Sequence, residues 1–212
     1  MKKSLLYLIP ILILACIFVG CDQSSAHASS ASPQASVDSF LQSIQKQDYS
    51  SSKTYYAENL DNMANFKNQI EDISPHVANE LFNKMADFTY TINNSTIDRN
   101  NQQKAIVNVT INAYDLGKSF ESTVLDYIKT DLEMTFDGAK SEDIVKETEN
   151  VIVNEITNSN QTFSTTVDIS LTKEKDAWKL DKISENPDLI NALSGNIIFT
   201  IEKLSQTIQN MQ

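Results

Sequence analysis

The sequence predicts an α+β fold in which about four antiparallel strands, made as two hairpins, pack against helices. Three observations lead to it. In 88–113 and again in 163–182, apolar and polar residues alternate with a period of two, which places the apolar side chains on one face of a pleated strand. The segments around those regions space their apolar residues by three and four instead, the repeat of a helix with one buried stripe. Helices and hairpins are also segregated along the chain, the order of an antiparallel sheet rather than of a doubly wound parallel one.

Length and composition set the outer limits. The 212 residues suit one domain with a short addressing segment. A hydrophobic content of 41%, with nine Phe, seven Tyr and one Trp, is enough to build a core. The 17 Lys and Arg stand against 28 Asp and Glu, a formal charge of −11. Nucleic-acid affinity comes largely from clustered cations, so this balance excludes a phosphate-backbone binder. With four glycines, the chain contains no Gly-rich phosphate loop and no strained Ser elbow.

The chain opens Met1-Lys2-Lys3-Ser4 and then runs apolar from Leu5 to Gly20. Two cations followed by such a run have the layout of a secretory signal. A permanent span needs about twenty apolar residues, whereas this run is shorter, contains Pro10 and is followed by Asp22. Its end, Phe18-Val19-Gly20-Cys21, resembles a bacterial lipobox, with Phe18 where Leu is usual. The resemblance implies residues 1–20 as a lipoprotein signal peptide, cleavage before Cys21, and a diacylglyceryl group with palmitate-type chains on the Cys21 sulfur. An ordinary secretory signal with a coincidental Cys is the alternative. Cys16 leaves with the signal and Cys21 carries lipid, so no free thiol remains for a disulfide, a thiolate metal site or a nucleophile. Two acyl chains, at about 0.8 kcal/mol per buried methylene, would hold the protein at a membrane. The resemblance also implies a location: Asp22 directly after that Cys is similar to an inner-membrane retention signal, which would place the domain on the outer, extracytoplasmic face of the cytoplasmic membrane.

Residues 21–32 form the lipidated Cys and a tether of Ser, Ala, Gln and His27 with no apolar period. Such a coil spans about 18 Å on average and at most about 40 Å. The single α+β domain then occupies 33–212. Ser32-Pro33 caps a helix carrying Val37, Phe40, Leu41 and Ile44. Tyr56, Leu60, Met63, Phe66 and Ile70 predict a second helix, and Ser74-Pro75 starts a short third one through Val77, Leu81 and Met85. Phe88, Tyr90 and Ile92 predict a strand. Asp98 to Gln102 is turn chemistry, and Ala105, Val107, Val109, Ile111 and Ala113 line the second strand. Residues 117–159 return to helix, broken at Gly138. Ser141 caps the second of that pair, which buries Ile144, Val145, Val151, Ile152 and Ile156. Phe163, Thr165, Val167, Ile169 and Leu171 mark a third strand; Trp178, Leu180 and Lys182 mark the fourth. Asn186-Pro187-Asp188 caps one long last helix through Ile190, Leu193, Ile197, Ile201, Leu204 and Ile208.

Two stretches carry a family resemblance. Pro33, Val37, Phe40-Leu41, Ile44 and Asp48-Tyr49 look like the opening helix of cystatin-like, nuclear-transport-factor-like lipoproteins of unknown function. Trp178-Lys179-Leu180 resembles the closing strand of the same group. The resemblance implies a curved antiparallel sheet wrapped around helices, on which enzymes, binding modules and oligomerisation domains all occur. The helical pair at 117–159 and the helix after Pro187 are additions to that plan.

Chemistry is sparse. A three-histidine zinc site is impossible with two His in the chain, and His76, near a helix start, reads as a surface residue. The carboxylates Asp126, Asp131, Glu133, Glu142, Asp143, Glu147 and Glu149 lack the spacing of a calcium loop. Lys129–Glu133 and Glu142–Lys146 instead read as a solvated helix face. Tyr56, Phe66, Phe88, Tyr90 and Trp178 are candidates to line a ligand pocket between sheet and helices, or else to fill the core. No catalytic residue, metal or cofactor is expected. The expected function is a membrane-anchored extracytoplasmic lipoprotein whose non-catalytic domain binds a small ligand or an envelope partner. The alternatives are an enzyme using Asp/Tyr acid–base groups in a cone-shaped pocket, and a module that self-associates through 117–159 or through the last helix.

Overall fold

Proline placement sets three of the helix starts. The computed structural model describes residues 32–57, 61–136, 140–160 and 163–209. Helix α1 (Pro33–Gln45) opens on Ser32, whose side chain accepts a hydrogen bond from Ala35 N at 3.2 Å. After the short α2 (Tyr49–Ser52) and a 3₁₀ turn (Lys53–Tyr55) come α3 (Asp61–Ile73) and α4 (Pro75–Ala86). Ser74 caps α4 by accepting from Val77 N at 3.1 Å. In both cases Pro occupies a first-turn position whose missing N–H would have had no helical partner.

Strands β1 (Thr89–Ile97) and β2 (Lys104–Ala113) form the first hairpin. Helices α5 (Leu116–Phe136) and α6 (Ser141–Thr157) follow, then β3 (Phe163–Glu174) and the short β4 (Ala177–Leu180). All pairings are antiparallel, in the order β1-β2-β3-β4, and the sheet is open. The long excursion through α5 and α6 ends by laying β3 along the whole of β2, from Lys104↔Thr172 to Ala113↔Phe163. A bulge between Ile92 and Asn94 bends the edge strand.

The alternation seen in the sequence separates the two sheet faces. Ala105, Val107, Val109, Ile111 and Ala113 of β2 are buried, as are Val167, Ile169 and Leu171 of β3. Each fully buried Val, Ile or Leu is worth roughly 1.5–3 kcal/mol relative to exposure. They meet Val37, Phe40, Leu41 and Ile44 of α1 in one core. A second core is purely helical: Ile70, Val77, Ala78, Leu81 and Phe82 pack with Leu116, Ile156 and Ile197. The 117–159 pair is therefore seated on other helices, α6 against α4 and α5 against the helix Ile197–Gln209.

Six expectations are corrected. Tyr56 does not begin a helix: it is extended, bridges Leu180, and α3 begins at Asp61. The apolar spacing was fortuitous there, because Tyr56 is recruited by β4 and Phe40 instead. The last helix is two helices, α7 (Pro187–Leu193) and α8 (Ile197–Gln209), divided at Gly195 (φ 60) and Asn196 (φ 70). The break lets α7 pack on β2 and β3 while α8 packs on α5. Lys140, not Ser141, is the residue before the first turn of α6, and Val145 is 50% exposed. Lys182 lies beyond β4. Asn186 precedes α7 but makes no side-chain cap there, since its amide is used elsewhere, as described below.

Candidate functional site

Helix α1 crosses the sheet's inner face near both edges, touching β1, β2 and β4. That crossing gathers most of the aromatic candidates. Tyr56, Phe88 and Trp178 are buried members of the sheet core, and half-buried Tyr90 packs against it. The rings of Tyr56 and Phe40 stack at 5.4 Å and 21°, and those of Phe88 and Tyr90 meet at 6.1 Å and 42°. Trp178 is held from two sides. Its carbonyl accepts from Ser36 Oγ at 2.7 Å, and Lys173 Nζ stands 6.0 Å from its ring centroid. Phe66 lies on α3 with its side chain outside the described residues, as is Cys21.

One polar group borders this cluster. Tyr90 Oη donates to Asp38 Oδ1 at 2.6 Å, and Gln42 Nε2 donates to Asp38 Oδ2 at 2.9 Å. Partial burial, together with the hydrogen bond and charge of Asp38, pushes the Tyr90 phenol up to about 12. A phenol so placed keeps its proton at neutral pH and leaves Asp38 as an acceptor. It can orient a ligand's donor far better than it can abstract a proton. Asp38 is a residue the sequence reading missed; its polar position on α1 carries no sign of Tyr90, 52 residues away.

The fourth strand is fastened by a second polar cluster. Asp181, 6% exposed, pairs with Lys104 Nζ at 3.2 Å and accepts from Thr172 Oγ1. Asn186 Oδ1 accepts from Ser170 N at 2.8 Å and Oγ at 3.1 Å, while its Nδ2 donates to Asp181 O at 3.1 Å. These bonds complete main-chain groups at the end of the short strand. Elsewhere, Asp48 accepts from Ser51 and Ser50, which holds its carboxyl down to about 2.

The carboxylate run on α5 and α6 is spread out. Asp126, Glu133, Glu142, Asp143 and Glu147 are exposed, and Glu149 accepts from Ser74 Oγ at 2.7 Å. His76 is exposed on the first turn of α4. Among the described residues, no three His, Cys, Asp or Glu side chains are arranged to hold a metal ion. The outer sheet face is a lattice of amides and hydroxyls. Asn93 Nδ2 donates to Asn108 Oδ1 at 2.8 Å, Asn108 Nδ2 to Asp168 Oδ1 at 2.6 Å, and Ser164 Oγ to Asn112 Oδ1 at 2.6 Å.

No protein-family model matches the chain, and no curated protein matches it. Among solved structures it is similar to YcdA of Bacillus subtilis subsp. subtilis strain 168, described as a candidate lipoprotein, with 18% identity and a TM-score of 0.48. The similarity covers 77% of this chain and 55% of that one. The chain thus spans little more than half the length of that protein. Among the described residues, no helix is long and apolar enough to cross a membrane.

Proposed function

We propose that this protein is a lipoprotein anchored through Cys21 at the extracytoplasmic face of the cell membrane, with residues 33–212 forming a domain that binds rather than catalyses. The observation that carries this reading is the order of segments. Phe18-Val19-Gly20-Cys21 closes an apolar run, a polar stretch follows, and a capped helix starts at Pro33. That order suits a domain held by two acyl chains and a short coil. The resemblance of 33–49 and 178–180 to cystatin-like, nuclear-transport-factor-like lipoproteins supports it as well. The binding reading, for a small ligand or an envelope partner, rests on the Asp38–Tyr90–Gln42 group beside the aromatic cluster. An acid–base enzyme would need one member to exchange a proton near neutral pH, and the Tyr90 phenol is shifted the other way.

Cys21→Ala tests the anchor. In cells fed labelled palmitate, the parent chain takes up label and sediments with membranes, and the variant does neither. A variant that still sediments with membranes contradicts the lipid assignment. Thermal shift of the full chain against a panel of small amides, sugars and carboxylates tests the binding reading: a ligand that raises the melting temperature should lose its effect in Asp38→Asn.

A further inference from the structure

The two edges of the sheet are treated differently. On the β4 edge, Trp178 O accepts from Ser36 Oγ at 2.7 Å and Leu180 O accepts from Ala57 N at 2.9 Å. Beyond the end of β4, Asn186 takes up Ser170 N. That edge is four residues long and closed by the protein itself. The other edge is β1, nine residues long. Among the described residues, no hydrogen bond reaches the main chain of Thr89–Ile97 from anything but the neighbouring hairpin strand and its turn. An exposed edge is a template for another strand, and proteins usually blunt it with Lys, Pro or a covering helix. This one has neither Lys nor Pro, and its one protective device is the bulge between Ile92 and Asn94.

From this asymmetry we propose that β1 is the docking edge for a second copy of this chain, joined antiparallel about a two-fold axis so that the two sheets become one of eight strands. Charge leaves this edge open to a second copy. At −11 overall, two copies repel across most approaches, but Thr89–Ile97 contains no charged residue, so copies can meet there without opposing like charges. Side-chain facing then selects the register. Tyr90 and Ile92 share the inner face with Ser95 and Ile97, across from Ile111, Val109, Val107 and Ala105; Thr91 and Thr96 lie on the outer face. An axis between Asn93 and Asn94 matches face to face throughout. It sets Tyr90 against Ile97 of the second copy, Thr91 against its Thr96, and Ile92 against its Ser95. Ile97, 45% exposed in the single chain, is then covered by an aromatic ring. The pairing is isologous, as a two-fold contact must be.

The register makes the test sharp. Facing residues in such a pair lie about 4.5–5.5 Å apart at Cα, within the reach of a disulfide. Two copies of residue 91 would be offset by five residues, about 17 Å, and out of reach. In the full chain carrying Cys16→Ser and Cys21→Ser, the further pair Thr91→Cys and Thr96→Cys should cross-link two chains under mild oxidation, and Thr91→Cys alone should not. Because no lipid is involved, the result is independent of the anchoring proposal. Light scattering on the same Cys-free chain should show the mass rising toward twice the monomer with concentration. Thr91→Glu with Thr96→Glu should weaken that association by about tenfold or more by opposing like charges, with the circular dichroism unchanged. A single-chain mass at every concentration, or equal cross-linking by Thr91→Cys alone, overturns the proposal.

Discussion

Replacing Gly195 by Ala should destabilise the protein by about 3 kcal/mol. Gly195 has φ 60, a conformation that costs an L side chain about 1–2 kcal/mol. There is also no room. A Cβ at 195 would run into Tyr114 O and lie 3.2 Å from both Cβ and Cγ of Leu116, which is 2% exposed. Relieving that overlap means moving main chain against a filled core, an overpacking cost of about 1–3 kcal/mol. The close approach is mutual, since Gly117 N donates to Gly195 O at 2.8 Å and a Cβ on Gly117 would come within 2.6 Å of Asn196 O. For a chain of this length, 3 kcal/mol lowers the melting temperature by roughly 6–12 °C, readable by calorimetry or denaturant unfolding. Lys175 is the control: its φ of 56 is similar but its side chain is exposed, so Lys175→Ala should cost only a few tenths of a kcal/mol. If Gly195→Ala matches the parent in stability, the α7–α8 break is not the tight crossing described above.

Asn186→Ala leaves the half-buried Ser170 N and the buried Asp181 O without their partner and should cost about 2–3 kcal/mol in denaturant unfolding. Lys175→Gly relieves a left-handed φ at an exposed turn and should stabilise by about 0.5–1 kcal/mol. The Tyr90 phenol titrates near 10 when unfolded and near 12 when folded, so the folded state holds the proton more tightly. Its stabilisation is therefore intact below pH 10 and fades as pH rises from 10 through 12. The unfolding free energy measured across that range should fall less steeply for Tyr90→Phe than for the parent, the residual slope including half-buried Tyr49, whose phenol is also raised by burial.

Local rules made much of the fold legible. Ser32-Pro33 and Ser74-Pro75 read as helix starts because cap and proline act within one turn. The alternation of 105–113 and 163–171 read as paired strands because one face had to be buried. What escaped depends on residues far apart in the chain. Tyr56 fits a helical stripe until Leu180 and Phe40 claim it. Asn186 fits a cap until Ser170 and Asp181 use its amide. The stripe from Ile190 to Ile208 is continuous in sequence, yet it serves two cores that face differently, and the chain must turn at Gly195 and Asn196 to reach both. At the candidate site, the aromatic residues announced themselves by size and spacing, bringing Tyr56, Phe88, Tyr90 and Trp178 together. Asp38 did not, because a lone carboxylate on a helix looks the same whether it meets water or a phenol.

Intact-mass and peptide analysis of the protein isolated from membranes bears most directly on the anchoring claim. The expected product begins at position 21 and carries a diacylglyceryl thioether there. A chain whose residue 21 holds a bare thiol, or one that begins elsewhere, contradicts it.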